Sequence, residues 1–419
     1  MRLETLSEQE IIITLIALAL LLTGAYVFGT LFEKIKAPRV VGEIVGGMLW
    51  GGSCLYFFAP GAMGSIFMAY EQEGKVLNIF YQLGLIFLMF LSGYNTKIEF
   101  DRKNARTIGC VFAGATVLPM AGAVPFISWF EKHFIGELGN EVSFGLVFAI
   151  GVAITSIPVI SKIFFDMGIM NTKFSDTVLT VSTFQDLCLW ILLNAATRIA
   201  TTGEIRLPEM LVVVIVTLGL FVAVKLVSDH VHMWKKKFRP IDFYTISFAV
   251  LLLVAALLYK VGINIMYSSF LVGYIVKAVA GVDGETKSRM ESLGNFMFSF
   301  FIPIYFALVG IQLNVIHDFS VVRFFAFFVI AFVLEAVGTL VLLQFTDLNR
   351  AAKINFAVTM NARGGPGIVL ATVAYSYKII NVEFFTVLIL TTMLSSLIAG
   401  YWLRRQQKMN ADIFMELTK

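Results

Sequence analysis

Apolar stretches of about 20 residues, one after another and separated by short charged loops, leave this chain little choice of environment. Reading hydropathy against those loops predicts thirteen spans in 419 residues, at roughly 11–32, 40–58, 77–95, 107–130, 143–165, 174–197, 208–227, 241–259, 262–280, 291–312, 321–345, 354–374 and 384–403. In hydrocarbon every backbone polar group must be satisfied internally, which only helices and closed barrels achieve. Barrel strands would read as short alternating segments, and none are present. Composition agrees: 14% of residues are charged and the mean hydropathy is +0.84, whereas soluble domains are about 25% charged. The expected fold class is an all-α membrane protein with the whole chain as one transmembrane domain. The stretch from Ile11 is too long for a signal-peptide core and lacks a basic leader or small-residue cleavage site, so it counts as a span.

Charge distribution orients the spans. With the N-terminus outside and the C-terminus in the cytoplasm, most of the 32 Lys and Arg residues fall on the inside, among them Lys34, Lys36, Arg39, Arg102, Lys103, Arg404 and Arg405. That bias is the positive-inside signature, and it points to a plasma membrane of the prokaryotic inner-membrane kind. The cluster from Lys235 to Arg239 reads as a topology anchor near anionic lipid. Cys54, Cys110 and Cys188 have no pairing pattern and read as free thiols. The four histidines show no zinc spacing. No nucleophile–base set, phosphate loop or nucleic-acid motif stands in the aqueous parts, so neither an enzyme, a bound cofactor nor a nucleic-acid partner is expected.

Two stretches look alike. Ile86 to Thr96 (IFLMFLSGYNT) closes span three, and Ile304 to Asn314 (IYFALVGIQLN) closes span ten. Each runs aliphatic–aromatic, then Gly93 or Gly310, then Asn95 or Gln312. They stand seven apart in span order, so they cross in opposite directions. The same separation relates span five, carrying ITSIPVIS with Pro158, to span twelve, carrying MNARGGPGIV with Pro366. Inverted repeats with paired interrupted helices point to a secondary transporter, with half-helix ends aimed at a midplane site. Taken singly, Pro and Gly are common in membrane helices; the symmetry of the two breaks is what favours the transporter.

Depth follows from span ends at about 1.5 Å per residue. The middle of span six is Asp186, that of span eleven is Glu335, that of span twelve lies near Gly365, two residues from Arg363 and with Asn361 as a further supporting polar group, and that of span five near Thr155 and Ser156. Charged residues inside spans are functional hypotheses. Glu335 with Arg363 reads either as an inert helix-locking pair or as part of the site. Asp186, flanked by Thr183 and Gln185, is the candidate carrier. Its neighbours offer hydroxyl, amide and carbonyl oxygens, which suit a hard monovalent cation such as Na+ or K+. Burial raises a carboxyl pKa and nearby positive charge lowers it; a carboxylate so balanced takes a proton or a small cation, not both. Glu43, just inside the cytoplasmic end of span two, reads as a cation funnel or as a satisfied interfacial acid. A channel without proton coupling and a sodium-coupled solute symporter remain alternatives.

PRVVGEIVGGMLWG, LGLIFLMFLSGYNT, AITSIPVISKIFFDMGIMNTKFSD, TFQD, IPIYFALVGIQLN and MNARGGPGIVLA occur in that order. Together they resemble the monovalent cation:proton antiporter superfamily, specifically its Kef-type sodium/hydrogen exchanger domain, over nearly the whole chain. The resemblance implies a homodimer. It implies a dimerisation part at about 1–106 and 241–312, and a core part at about 107–200 and 321–404 that moves as an elevator. Residues 201–240 would link them, and 405–419 form a short tail. Spans five and twelve would be crossed, unwound helices. The family's essential carboxylate falls on Asp186, its unwound ion-binding stretch on Thr155 and Ser156, and its second-break arginine on Arg363. Electrogenic relatives carry two acids where this chain has Gln185–Asp186, so the resemblance implies electroneutral exchange of one proton per cation. Where such relatives place a lysine in span eleven, FVLEAVGT has Glu335; that residue either pairs with Arg363 or titrates as a second acid.

Overall fold

The structure is a computed structural model that describes residues 5–95, 104–170, 172–204, 240–260, 262–280 and 284–409, together with Leu211, Val214, Ile215, Gly219 and Phe414. Its helices in chain order are α1 (Glu8–Lys34), α2 (Arg39–Trp50), α3 (Leu55–Phe58), α4 (Pro60–Phe67), α5 (Glu73–Asn95), α6 (Ala105–Phe112), α7 (Leu118–Phe134), α8 (Glu141–Ala153), α9 (Ile157–Asp166) and α10 (Lys173–Thr202). They continue with α11 (Pro240–Lys260), α12 (Ile265–Ala280), α13 (Gly284–Ser299), α14 (Phe301–Gln312), α15 (Val321–Leu343), α16 (Arg350–Met360), α17 (Gly365–Ser376) and α18 (Val382–Met409). Among the described residues the protein is all-helical; the one extended pairing is an isolated bridge between Ile135 and Ile380. Nine described stretches are long and apolar enough to cross a membrane, and two shorter apolar helices accompany them. The protein is an integral membrane protein. The span expected at 208–227 and the Lys235–Arg239 cluster lie outside the described residues, apart from isolated positions in the former.

Lipid exposure is written along α15. Phe325, Val329, Val333, Val337 and Val341 are all exposed at four-residue spacing, while Phe327, Ala331, Glu335 and Gly338 are buried. In water such a stripe would drive association; in a bilayer it needs no partner. Helix starts follow local capping chemistry. Asn140 with Ser143 and Thr172 with Ser175 form reciprocal caps on α8 and α10, and Ser320 and Asn349 cap α15 and α16.

Compact contacts divide the chain into two units, 1–95 with 217–318 and 96–216 with 319–419. In the first, glycines let helices cross at backbone contact. A Cβ on Gly93 of α5 would lie 1.9 Å from the Phe270 carbonyl oxygen of α12, and one on Gly273 of α12 would lie 2.0 Å from that of Phe90. The same arrangement joins α2 to α14: a Cβ on Gly310 would meet the Ile44 oxygen at 2.1 Å and one on Gly47 the Ala307 oxygen at 1.9 Å. Span three thus clasps span nine as span ten clasps span two. Those partners are related by the seven-span separation read from the sequence.

The second unit holds two buried phenylalanine clusters. Phe134 stacks on Phe384 at 4.7 Å and Phe130 packs on Phe148 at 4.9 Å, with Phe327 5.1 Å from Phe384. Elsewhere in the unit Phe174 touches Phe356 at 4.6 Å, Phe414 at 5.1 Å and Phe164 at 5.6 Å. Along the chain from α8 to α9, the polar site falls between these clusters.

Proline explains where the helices are interrupted. It lacks an N–H and its ring crowds the carbonyl four residues back. Pro303 follows Ser299, the last residue of α13, so the segment expected as one span at 291–312 is jointed at Phe300. Pro119 follows Ala115, and there the expected span at 107–130 contains a π-helical turn, Ala113–Val117, between α6 and α7. Pro158 and Pro366 stand second in α9 and α17, after the non-helical stretches 154–156 and 361–364.

Candidate functional site

Breaking a helix exposes carbonyls at the cut C-terminus and N–H groups at the restart. The two breaks of the second unit supply each other's missing partners. Thr155, in the first break, donates its hydroxyl to the Met360 carbonyl at the end of α16, at 2.6 Å. Arg363, in the second break, donates through Nη2 to the Val152 carbonyl in the last turn of α8, at 2.8 Å. Ser156 N donates to the Ala362 carbonyl at 2.8 Å, the carbonyl that Pro366 cannot serve. Ser156 Oγ in turn caps α9 by accepting from Val159 N. A Cβ on Gly364 would sit 2.5 Å from Ser156 Oγ and 2.4 Å from Val159 Cγ2, so the breaks touch through a position without a side chain.

Glu335 reaches this knot from α15. Its Oε2 accepts from Arg363 Nη2 at 3.0 Å, and both side chains are fully buried. Its Oε1 lies 3.2 Å from the Thr155 hydroxyl, whose single hydrogen is engaged by the closer Met360 oxygen. Arg363 Nε and Nη1 and Asn361 Oδ1 are buried without a partner among the described residues. The Asn361 amide nitrogen bonds within its own helix, to Ala357 O at 3.0 Å.

Gln185 and Asp186 sit near the middle of α10 and do different jobs. Gln185 Nε2 donates to the Ala115 carbonyl of the π turn, at 3.1 Å, and to the Ala153 carbonyl that ends α8. Both acceptors are carbonyls that the ordinary helix pattern has released. Asp186 is 1% exposed, and neither carboxylate oxygen has a hydrogen-bond partner among the described residues. It opens instead on a narrow cleft lined by Ile150, Ile154, Leu189, Trp190, Leu193 and Leu370. Thr183 bonds back to Leu179 O. Ser182, one turn before Asp186, is fully buried with an unpartnered hydroxyl among the described residues, as is Thr116 in the π turn.

The structure therefore bonds Glu335 to Arg363, sets the Thr155 hydroxyl 3.2 Å from Glu335, links Ser156 to the second break through the Ala362 carbonyl, and ties Gln185 to the end of α8. Asp186 shares no hydrogen bond with any of them. Glu43 belongs to the other unit, where Arg39 Nε holds it at 2.8 Å and Arg39 also approaches Glu33 at 3.5 Å. The π turn, the acceptor carbonyls, Ser182 and Trp190 were not singled out from the sequence. Pro119 was the available signal for the turn, and helical register from Asp186 for the two side chains.

Interrupted helices beside a buried carboxylate are an arrangement found in many secondary transporters. The family model described as "Sodium/hydrogen exchanger, transmembrane" matches residues 17–406, and the chain belongs to that family. Similar proteins include the Na(+)/H(+) antiporter NhaS4 of Synechocystis sp., 23% identical over 389 residues that cover 90% of this chain and 92% of that one. The Na(+)/H(+)-K(+) antiporter GerN of Bacillus cereus is 22% identical, covering 91% and 93%. Cation/H(+) antiporter 20 of Arabidopsis thaliana is 25% identical, covering 91% of this chain but 47% of that one. In fold, the chain resembles the sodium proton antiporter MjNhaP1 from Methanocaldococcus jannaschii, with TM-score 0.67 and 14% identity over 97% of this chain and 99% of that one.

Proposed function

We propose that the protein exchanges Na+ or K+ for H+ across a prokaryotic plasma membrane, with Asp186 as the carrier. The observation that carries this reading is a buried carboxylate with both oxygens unpartnered among the described residues, beside two interrupted helices. A carboxylate in that setting is stabilised by either a proton or a bare cation, and the two compete for the same oxygens. Ser182, the Gln185 amide oxygen and the lone pairs of Thr155 and Ser156 are the oxygens that replace a cation's hydration shell. Glu335 and Arg363 hold the breaks together. The names of the relatives, Na(+)/H(+), Na(+)/H(+)-K(+) and cation/H(+) antiporters, support the substrate class without choosing between Na+ and K+.

The remaining features of the proposal are thirteen spans, N-terminus outside, with the interrupted helices crossing at midplane. The unit containing Asp186 moves as an elevator, and the unit containing α1–α5 forms a homodimer. The test is proton flux in proteoliposomes, read with a pH-sensitive dye across a series of alkali chlorides. Cation addition collapses a preset pH gradient in the wild type, and Asp186→Asn abolishes the response. Exchange surviving in Asp186→Asn would remove Asp186 from the carrier's role; flux indifferent to the pH gradient would favour a channel.

A further inference from the structure

Trp190 stands four residues after Asp186 on α10 and lines the same cleft. Side chains three and four residues apart on a helix are neighbours, and each leans toward the helix N-terminus, over the preceding turn. The Trp190 indole is therefore carried back over the turn that bears Asp186. It is 3% exposed, and its Nε1–H is buried with no acceptor among the described residues. A buried indole N–H ordinarily finds a partner, because leaving it bare costs free energy. The other residues lining the cleft are aliphatic and offer no side-chain acceptor: Ile150, Ile154, Leu189, Leu193 and Leu370. One turn away lie two carboxylate oxygens that are also without a partner among the described residues. The other buried charges of the unit, Glu335 and Arg363, are bonded to each other. A donor with no acceptor and an acceptor with no donor thus share one narrow cleft.

We propose that the Trp190 indole N–H is a surrogate ligand of Asp186. The two are not bonded in this structure; the indole turns to donate to the carboxylate once that group is ionised and holds neither proton nor cation, and it is displaced when a cation arrives. The inference rests on the reading of Asp186 as the carrier. Its consequence is a ceiling on cation affinity: the cation must break the indole bond before it binds, and by breaking it the indole speeds release. Trp190 is in this sense a positioning residue that weakens binding in order to favour turnover.

The test is Trp190→Phe, which keeps the ring and removes the donor. At alkaline pH, where protons compete least, the half-saturating Na+ or K+ concentration for exchange falls about tenfold, the scale of one hydrogen bond to a charged group, and the maximal rate falls with it. A purely structural role predicts weaker or unchanged binding, so tighter binding is diagnostic. Unchanged or weaker cation binding in Trp190→Phe with an unaltered melting temperature overturns the proposal. A second measurement leaves Trp190 in place: with 15N-labelled indole, the Trp190 N–H resonance moves on cation addition in the wild type and is insensitive to cation in Asp186→Asn. A resonance that ignores the cation in the wild type overturns the proposal even if Trp190→Phe fails to fold. If the wild type shows no cation-driven proton flux at all, the exchanger reading fails first, independently of Trp190.

Discussion

Gln185 illustrates how a single side chain is fixed by backbone groups rather than by other side chains. Its amide nitrogen faces the Ala115 and Ala153 carbonyls, each left without its regular helical donor by a π turn or a helix end. Gln185→Ala leaves two buried acceptors bare, a loss of about 1–3 kcal/mol each, and the melting temperature in detergent falls accordingly. Gln185→Glu is the sharper variant. It sets a carboxylate oxygen against two carbonyl oxygens, so it is expected to melt below Gln185→Ala rather than simply adding a second acid to the site; equal or higher stability would show the amide donor to be dispensable. The Glu335–Arg363 pair makes a second prediction at this scale. Removing one partner of a buried ion pair strands a charge and costs about 3–5 kcal/mol. Glu335→Gln and Arg363→Gln are each strongly destabilising, and the double variant loses clearly less than their sum. Additive losses in a double-mutant cycle of melting temperatures would mean the pair is not coupled.

At the scale of elements, close helix crossings depend on absent side chains. Gly93→Ala and Gly310→Ala each thrust a methyl group to within 2.1 Å of a carbonyl oxygen on the neighbouring helix. Helix separation or backbone shift follows, at about 1–3 kcal/mol. Gly61→Ala and Gly64→Ala, helical positions where a Cβ meets nothing within 4 Å, serve as controls and leave the melting temperature unchanged or slightly raised. A different connection joins the loop after α7 to the loop after α17: Gly136 N and Leu138 N donate to Ile379 O and Lys378 O, and Lys378 Nζ pairs with Glu137 at 2.5 Å. The ammonium holds the Glu137 carboxyl below the usual carboxylate range, and the carboxylate raises Lys378. A depressed acid stabilises the fold above its unfolded value and loses that contribution as pH falls. A raised base loses its contribution only as pH climbs through its folded value. The stability gap between wild type and Glu137→Gln is therefore flat at neutral pH and closes below about pH 4, near the free carboxyl value; because the pair is exposed, the gap is small throughout. A gap that widens on acidification would contradict this pairing. The interruptions beside Pro158 and Pro366 were legible in the sequence, since proline removes a donor wherever it stands. The cross-capping was not, because its acceptors are the carbonyls of Val152, Met360 and Ala362, and every residue carries a carbonyl. The π turn was missed because Pro119 is tolerated inside a membrane helix and marks no charge or gap in hydropathy.

For the whole molecule the decisive quantity is the charge moved per cycle. Among the described residues, the buried interior of the second unit holds Asp186, Glu335 and Arg363. The last two bond to each other at 3.0 Å, so as a pair they carry no net charge. What is left to neutralise is one carboxylate, which one proton or one monovalent cation does equally well. Under the proposal that Asp186 is the carrier, the loaded unit would be neutral on both legs of the cycle, and no net charge would cross the membrane. The membrane-spanning frame that makes this count meaningful could be read from hydropathy alone; the pairing of Glu335 could not, because a sequence places two charges at one depth without saying whether their side chains meet. The prediction is that cation-driven proton flux in proteoliposomes keeps the same rate when a gradient of a permeant anion such as thiocyanate imposes an inside-negative or inside-positive potential. If Glu335 instead leaves Arg363 and takes a proton during the cycle, two protons move against one cation, and the rate rises or falls with the sign of the potential. In that case Glu335→Gln would restore indifference to the potential, which separates a second titrating acid from a structural partner of the arginine.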